Sequence, residues 1–390
     1  MSDFLVYMTC FVPCRSCILL PLLMLVFLLG CSPQEKQPFS EDVWEKEVSR
    51  TQEKDFYAPH KKDDRYFAPW MKMPDKSFLD VLGWKFFSKT NYTKEEREFL
   101  PKILPQTLQR VQKTRGDFIL WIGHNTFLVR TGEQYWLTDP IFSKRALIPG
   151  RKTPPALTLE EINTLVKVPN ILISHNHYDH LDRGSIKGLP NASRVFVPKG
   201  LAVMVKKMNK PHTLEMDWWE EKTLSPDIKL VCLPTQHWSM RINQGRNKSL
   251  WVAWLLITPS ATFYFGGDTG YFKGFKETGK KYLGIDYAFI ATTAYHPRWF
   301  MHYQHMNIPE AVKGFKELGA KYFIPTQWGT FHLGSEPAGF PGLELKRFIQ
   351  TRNLDPSLFK IMDIGEILKI IPRTGGFKGQ KASGKPALNS

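Results

Sequence analysis

The sequence predicts an α/β protein in which sheets are flanked by helices across residues 116–372. Three observations predict it. From Asp117 onward, short runs rich in β-branched and aromatic residues recur between turn residues. Helix-patterned segments sit between some of these runs. A chain of 390 residues, 42% hydrophobic and 13% aromatic, has the length and composition to bury a large core.

The elements follow in order. Residues 18–30 are almost all apolar and end in Leu28-Leu29-Gly30-Cys31. That length suits the hydrophobic region of a signal peptide and is short for a membrane span. The ending resembles a bacterial lipobox, which implies a signal peptide over 1–30 and acylation of Cys31. Ser32 follows that cysteine. By the same resemblance, the expected address is a lipid-anchored place in the cell envelope, on the outer membrane in a diderm cell. An uncleaved anchor is the alternative. Cys10, Cys14 and Cys17 would depart with the signal, leaving Cys232 alone and no disulfide. Residues 31–64 are polar and read as a tether. Residues 65–115 read as an N-terminal extension, in which Thr93 and Glu96 form a capping box at a helix start. Strands are expected at 118–122, 126–130, 135–138, 170–174, 195–197, 228–233, 251–257, 262–265, 287–290 and 322–324. Helices are expected at 158–167, 184–188 and 307–318, the last with Pro309 in its first turn. The Gly- and Lys-rich tail, 373–390, is expected to be disordered. The twelve tryptophans are expected in core and sheet packing. The formal net charge of +16 favours anionic partners. It is spread along the chain without a long basic block, so no nucleic-acid arm is expected.

The strongest chemical signal is Ser174-His175-Asn176-His177-Tyr178-Asp179-His180-Leu181-Asp182, directly after an apolar strand. Imidazole and carboxylate together suit Zn²⁺ and related divalent ions. His175, His177, Asp179 and His180 are too many ligands for one tetrahedral ion that must also hold water, so the spacing predicts two metals. Two further candidates stand at strand ends: His237, after 228–233, and Asp268, after 262–265. A pair of ions needs a shared ligand and an open position.

H-x-H-x-D-H, then His, then Gly-Asp is the order of the metallo-β-lactamase superfamily. Within it, several segments resemble N-acylphosphatidylethanolamine-hydrolysing phospholipase D and its bacterial relatives. They are Leu137-Thr138-Asp139-Pro140-Ile141-Phe142, Gly267-Asp268-Thr269-Gly270-Tyr271, Tyr295-His296-Pro297-Arg298-Trp299-Phe300-Met301, Tyr303-Gln304-His305 and Trp328-Gly329-Thr330-Phe331. The resemblance spans about 116–333. It implies an αβ/βα sandwich with a dizinc centre at one edge, and phosphodiester hydrolysis by a water activated between the ions. It further implies that His175, His177 and His237 hold the first metal, Asp179 and His180 the second, and that Asp268 bridges; in the expected mechanism Asp268 also accepts a proton. By the same likeness His305 faces the substrate phosphate and Asp139 supports the ligands from behind. The residues around 295–303 would either receive an acyl chain or pack ordinarily.

One position departs from that pattern. Gln327 stands where the family places a histidine ligand before Trp-Gly-Thr-Phe. A Gln carbonyl is a poorer zinc ligand than imidazole, so Gln327 is expected as a weak ligand or water-holder, with His332 as a substitute. The expected substrate is a membrane phospholipid, with the lipid anchor holding the enzyme at the bilayer. Alternatives are hydrolysis of a lactone or soluble phosphodiester, and a metal-binding envelope lipoprotein with degenerate catalysis.

Overall fold

Thirteen strands of the computed structural model, which describes residues 39–87 and 90–371, build two main sheets. The strands are β1 (Phe118–Gly123), β2 (Thr126–Thr131), β3 (Gln134–Thr138), β4 (Asn170–Leu172), β5 (Arg194–Pro198), β6 (Thr213–Met216), β7 (Glu221–Ser225), β8 (Ile228–Pro234), β9 (Val252–Ile257), β10 (Thr262–Phe265), β11 (Tyr287–Ala291), β12 (Tyr322–Thr326) and β13 (Ile367–Lys369). A seven-stranded sheet runs β13-β1-β2-β3-β4-β5-β6 and a six-stranded sheet β12-β11-β10-β9-β8-β7. Each sheet is antiparallel at one side and parallel at the other: β3 to β6 pair in parallel, as do β10 to β12. This is the mixed α/β architecture the sequence predicts.

Burial explains the strand sequences. β1 is buried throughout, and β9 is buried from Val252 to Leu256, so both read as continuous apolar runs rather than alternations. The helices Leu159–Leu165, Arg183–Gly188 and Ala202–Lys206 place Ile162, Ile186 and Val205 in one cluster with Leu128, Leu137 and Ile171 of the first sheet. On the second sheet the helix Ile308–Leu318 sets Phe315 edge-on to Phe323 of β12, ring centres 5.4 Å apart. That helix lies where the sequence places it, with Pro309 in its first turn; Asn307 caps it, Glu310 completes a capping box, and Gly319 ends it in the left-handed region. Thr93 and Thr158 cap their helices in the same way. Trp121, Trp136, Trp251, Trp254 and Trp328 are fully buried, as core tryptophans.

The sheets touch where β4 ends. Trp254 Nε1 donates to the carbonyl of Ile173 (3.0 Å), and Val252 N donates to that of Ser174 (2.9 Å). Side chains at this sheet edge are thus drawn from both halves of the fold.

Several sequence expectations need correction. The tether expected over 31–64 is folded from Glu41 onward. The helix Glu41–Ser49 buries Trp44 and Val48, a short 3₁₀ turn buries Phe56, and Trp44 Nε1 donates to Glu310 (2.7 Å). The polar composition masked this because three buried side chains suffice to dock the segment. Strands β6, β7 and β13 and the helices Gly274–Lys281 and Phe340–Thr351 were not expected. β6 and β7 are short edge strands of mixed polarity, which carry weak periodicity. The run 295–303 packs ordinarily at its core positions: Tyr295, Phe300 and Met301 are buried. The signal peptide over 1–30, Cys31 and the tail over 373–390 lie outside the described residues.

Candidate metal centre

The loop between β4 and the helix Arg183–Gly188 delivers four donors at once, and the exits of β8 and β10 deliver His237 and Asp268. The Gly-Gly-Asp turn has a steric basis. Gly267 sits at φ +58°, and a Cβ there would come within 2.6 Å of Ser174 Cβ. Glycine therefore lets the second sheet's turn close onto the first sheet's loop and aim Asp268 between the histidines.

The donors fall into two groups, His175, His177, His237 and Asp268 in one and His124, Asp179 and His180 in the other. In the first, His177 Nδ1 lies 2.8 Å from His175 Nε2 and 3.2 Å from His237 Nε2. Asp268 Oδ2 lies 3.8 Å from His175 Nε2 and 3.5 Å from His237 Nε2. Two ligands on one tetrahedral zinc stand about 3.3 Å apart when each bond is near 2.0–2.1 Å, so these separations fit a shared ion. In the second group, Asp179 Oδ2 is 3.2 Å from His180 Nε2 and 3.1 Å from His124 Nε2, and Asp268 Oδ1 is 3.2 Å from His180 Nε2. Asp268 thus offers one oxygen to each group.

The outer nitrogens of three of these imidazoles are tied down. His180 Nδ1 pairs with Asp139 Oδ2 (2.7 Å), His237 Nδ1 with the carbonyl of Gln304 (3.1 Å), and His175 Nδ1 with Ser174 Oγ (2.9 Å). With those nitrogens protonated, each Nε2 turns a lone pair inward, the arrangement metal-ligating histidines require. Asp139 holds its place through Asn125 Nδ2, Ser174 N and Ser174 Oγ, each 2.7 Å away. It lies behind the donors rather than among them.

Electrostatics agree with this donor set. Burial, reinforced by neighbouring imidazoles, holds His175 and His237 well below the usual histidine range, so both are neutral at ordinary pH. Burial would raise Asp268 and Asp179, yet His180 and its neighbours outweigh it and keep both carboxyls well below theirs. Burial would lower His180, but Asp268, Asp179 and Asp139 outweigh it and draw positive charge there. Neutral His175 and His237 facing ionised carboxylates are the protonation states that bind a cation, and the same carboxylates that draw a proton to His180 would draw a metal ion to it in exchange.

Gln327 lies at the same place, fully buried, with its backbone at φ +73°. Its Nε2 donates to Asp268 Oδ1 and stands 3.3 Å from His180 Nε2, while its Oε1 has no partner among the described residues. His332 is exposed and belongs to neither group. His124, in the tight turn joining β1 to β2, was missed by sequence reasoning. Its backbone carbonyl accepts from Gln327 N (3.1 Å), which fastens the two residues together. The available signal was its position: His124, like the other donors, follows a strand directly. His305 reaches the first group, its ring 5.4 Å from that of His237, and its Nδ1 is buried without a partner among the described residues. Arg298 holds it by donating to its carbonyl (3.0 Å). The donor loop is most open at His177, Tyr178 and Asp179, which are partly exposed between buried flanks.

A family model described as "Beta-lactamase superfamily domain" matches residues 135–328. The chain is 32% identical over 323 residues to N-acyl-phosphatidylethanolamine-hydrolyzing phospholipase D 1 of Caenorhabditis elegans, covering 77% of this chain and 90% of that one. It is 33% identical over 227 residues to the mitochondrial N-acyl-phosphatidylethanolamine-hydrolyzing phospholipase D of Saccharomyces cerevisiae, covering 55% of this chain and 48% of that one. Among solved structures, an isothiocyanate hydrolase from Delia radicum gut bacteria superposes with a TM-score of 0.54 at 13% identity, over 64% of this chain and 98% of that one. This last likeness is one of fold.

Proposed function

The chain belongs to the metallo-β-lactamase superfamily and is a metal-dependent hydrolase of it, and from that premise we propose that it is a zinc-dependent phosphodiesterase of the phospholipase D type. Its substrate would be an N-acylphosphatidylethanolamine or a close phospholipid. The observation that carries the reading is Asp268 shared between two donor groups. The relatives named for this activity support the choice of substrate.

His175, His177, His237 and Asp268 would hold one ion, and His180, Asp179 and Asp268 the second, with Gln327 at its margin. Bound there, the metals would supply Lewis-acid polarisation of a phosphoryl oxygen and lower the pKa of water. The protein does the rest. Water adds at phosphorus, the P–O bond to the N-acylethanolamine breaks, and phosphatidate remains. Asp268 accepts the proton of the attacking water. His305, held by Arg298, orients the phosphate with its unpaired Nδ1 or delivers a proton to the departing oxygen. Asp139 and Ser174 fix the imidazoles and take no part in bond making.

Gln327 favours a second reading, in which the second ion is weakly held and the chain binds metal with little turnover. Elemental analysis of the purified protein, paired with hydrolysis assays on N-acylphosphatidylethanolamine, a lactone and a soluble phosphodiester, separates the two. Release of N-acylethanolamine with about two metals per chain supports the phospholipase. Bound metal without hydrolysis of any substrate supports the second reading, and lactone hydrolysis alone overturns the substrate assignment. We further propose, from the lipobox-like Cys31, that the enzyme is a lipid-anchored envelope protein. Mass spectrometry of its N-terminus tests this: an unmodified Cys31 would refute it.

A further inference from the structure

Beside the open side of the metal centre lies a cleft of about 640 Å³. Its inner wall is the donor loop itself: Tyr178, between His177 and Asp179, lines it. Three projections surround the cleft. One is the loop over 145–150, closed by Ala146 N donating to the carbonyl of Pro149 (2.9 Å) and by Arg145 Nη1 donating to that of Ile148 (2.8 Å). The second is the helix Ala202–Lys206. The third is a small hairpin pairing Met240 with Arg246 and Arg241 with Gly245.

Each projection carries aliphatic side chains in water. Ile148 is 75% exposed, Val203 69% and Ile242 68%, with Leu147 and Met240 about half exposed. Leu147 also has φ +59°, a conformation that a leucine adopts only at a cost, and no burial of its side chain offsets it. Basic groups stand at the cleft: Arg145, Arg183 and Lys207 line it together with Leu147 and Ile242. The one acidic residue of the lining, Asp182, is occupied by Ser143 Oγ (2.6 Å) and Ser185 N (3.1 Å).

We propose that this three-pronged face is the surface by which the enzyme docks on an anionic lipid bilayer. Separate aliphatic tips ringed by cations fit a membrane interface, where side chains enter the acyl boundary and Lys and Arg meet anionic headgroups. A protein partner would instead find a contiguous apolar core with charges excluded. Each basic side chain near an anionic surface contributes roughly a fivefold gain in partitioning. The hairpin is coupled to the donor loop: Arg241 Nη1 donates to the carbonyls of Asn176 and Leu181 (2.8 Å each), its guanidinium lies 4.1 Å from the Tyr178 ring centre, and Ile242 N donates to Tyr178 Oη (3.2 Å). A docked bilayer therefore presents its headgroups beside His177 and Asp179. The inference rests on the phospholipid reading for its purpose, and its test needs no turnover.

That test is hydrogen–deuterium exchange on the full chain mixed with phosphatidylcholine vesicles, with and without phosphatidylglycerol. Peptides over 145–150, 202–208 and 240–246 should exchange more slowly on the anionic vesicles, by about tenfold or more, and regain their solution rates in high salt. Solution-like exchange in these peptides while the chain is bound to anionic vesicles overturns the proposal. Equal protection on neutral vesicles overturns its electrostatic part. Protection that grows with protein concentration without lipid assigns the face to a second copy instead. Ile148→Glu with Val203→Glu should abolish the protection while leaving hydrolysis of a soluble phosphodiester unchanged. A matching loss of soluble activity would refute a docking role. If the wild-type peptides are protected but no phospholipid is cleaved, the substrate reading fails and the docking surface stands.

Discussion

Replacing Asp139 by Asn changes one atom at the point where four hydrogen bonds converge. Oδ2 faces three donors, Asn125 Nδ2, Ser174 Oγ and His180 Nδ1, and Oδ1 faces Ser174 N. An amide in its cheaper orientation keeps its oxygen toward the three and turns Nδ2 onto Ser174 N, leaving one backbone donor unpaired. That costs about 1–3 kcal/mol. The three remaining donors then face a neutral acceptor, and His180 loses a charge-assisted bond worth roughly 1–2 kcal/mol more. Removing such a supporting carboxylate typically costs about 10–100-fold in metal affinity. That loss should fall on the ion held by His180. The ion that His175, His177 and His237 would hold lies further from Asp139, linked to it through Ser174 Oγ. Chelator competition followed by elemental analysis reads the two affinities separately, and thermal unfolding reads stability. Equal weakening of both ions, or none, would refute the account.

Gln327→His should raise second-metal occupancy in elemental analysis and increase turnover, because imidazole ligates zinc better than an amide; unchanged stoichiometry would count against a weakened second site. His124→Ala should lower metal affinity in the Asp179–His180 group by about tenfold in the same chelator assay, since His124 Nε2 is 3.1 Å from Asp179 Oδ2; an unaltered second ion would make that contact purely structural. Trp44→Ala should destabilise the protein by about 3–5 kcal/mol in denaturant unfolding, because the indole is buried and bonded to Glu310; a change below about 1 kcal/mol would show the first helix to be a loose appendage. Glu336 is buried, and burial, despite hydrogen bonds from nearby backbone N–H groups, raises its carboxyl to about 7. The folded protein holds that proton more tightly than the unfolded chain, so this stabilisation is complete below about pH 4.5 and disappears as pH rises through about 7. On the order of 3 kcal/mol follows from the shift, and Glu336→Gln should flatten the stability–pH curve in that window.

The sequence made the donors legible because their positions obey one rule: each stands directly after a strand, where a loop can turn a side chain into the sheet edge. His175, His177, Asp179 and His180 share one such loop, so residue type and spacing sufficed. His124 obeys the same rule but stands alone in a two-strand turn, and a single histidine in a tight turn carries no signal until the fold sets Asp179 opposite. The departure at Gln327 was visible in sequence, whereas its hydrogen bond to Asp268 and its backbone tie to His124 are tertiary facts. Residues 41–57 were misjudged because polar composition reports average solvation. Docking there depends on Trp44, Val48 and Phe56, three particular apolar side chains. The edge strands β6 and β7 escaped for a related reason: half of an edge strand's environment is water, so its pattern is diluted.

Trp44 also begins a strut that ends at His305, beside the candidate metal centre. Its indole donates to Glu310 Oε1, Arg298 Nη2 donates to the same oxygen, and Arg298 Nη1 donates to the carbonyl of His305. A chain trimmed past residue 49 would keep both sheets and every candidate ligand, yet Glu310 and Arg298 would lose their outer brace. His305, beside His237, would then swing more freely. Proteolysis just after this first helix would thus act as a throttle on turnover, set some distance from the candidate ligands and independent of metal loading.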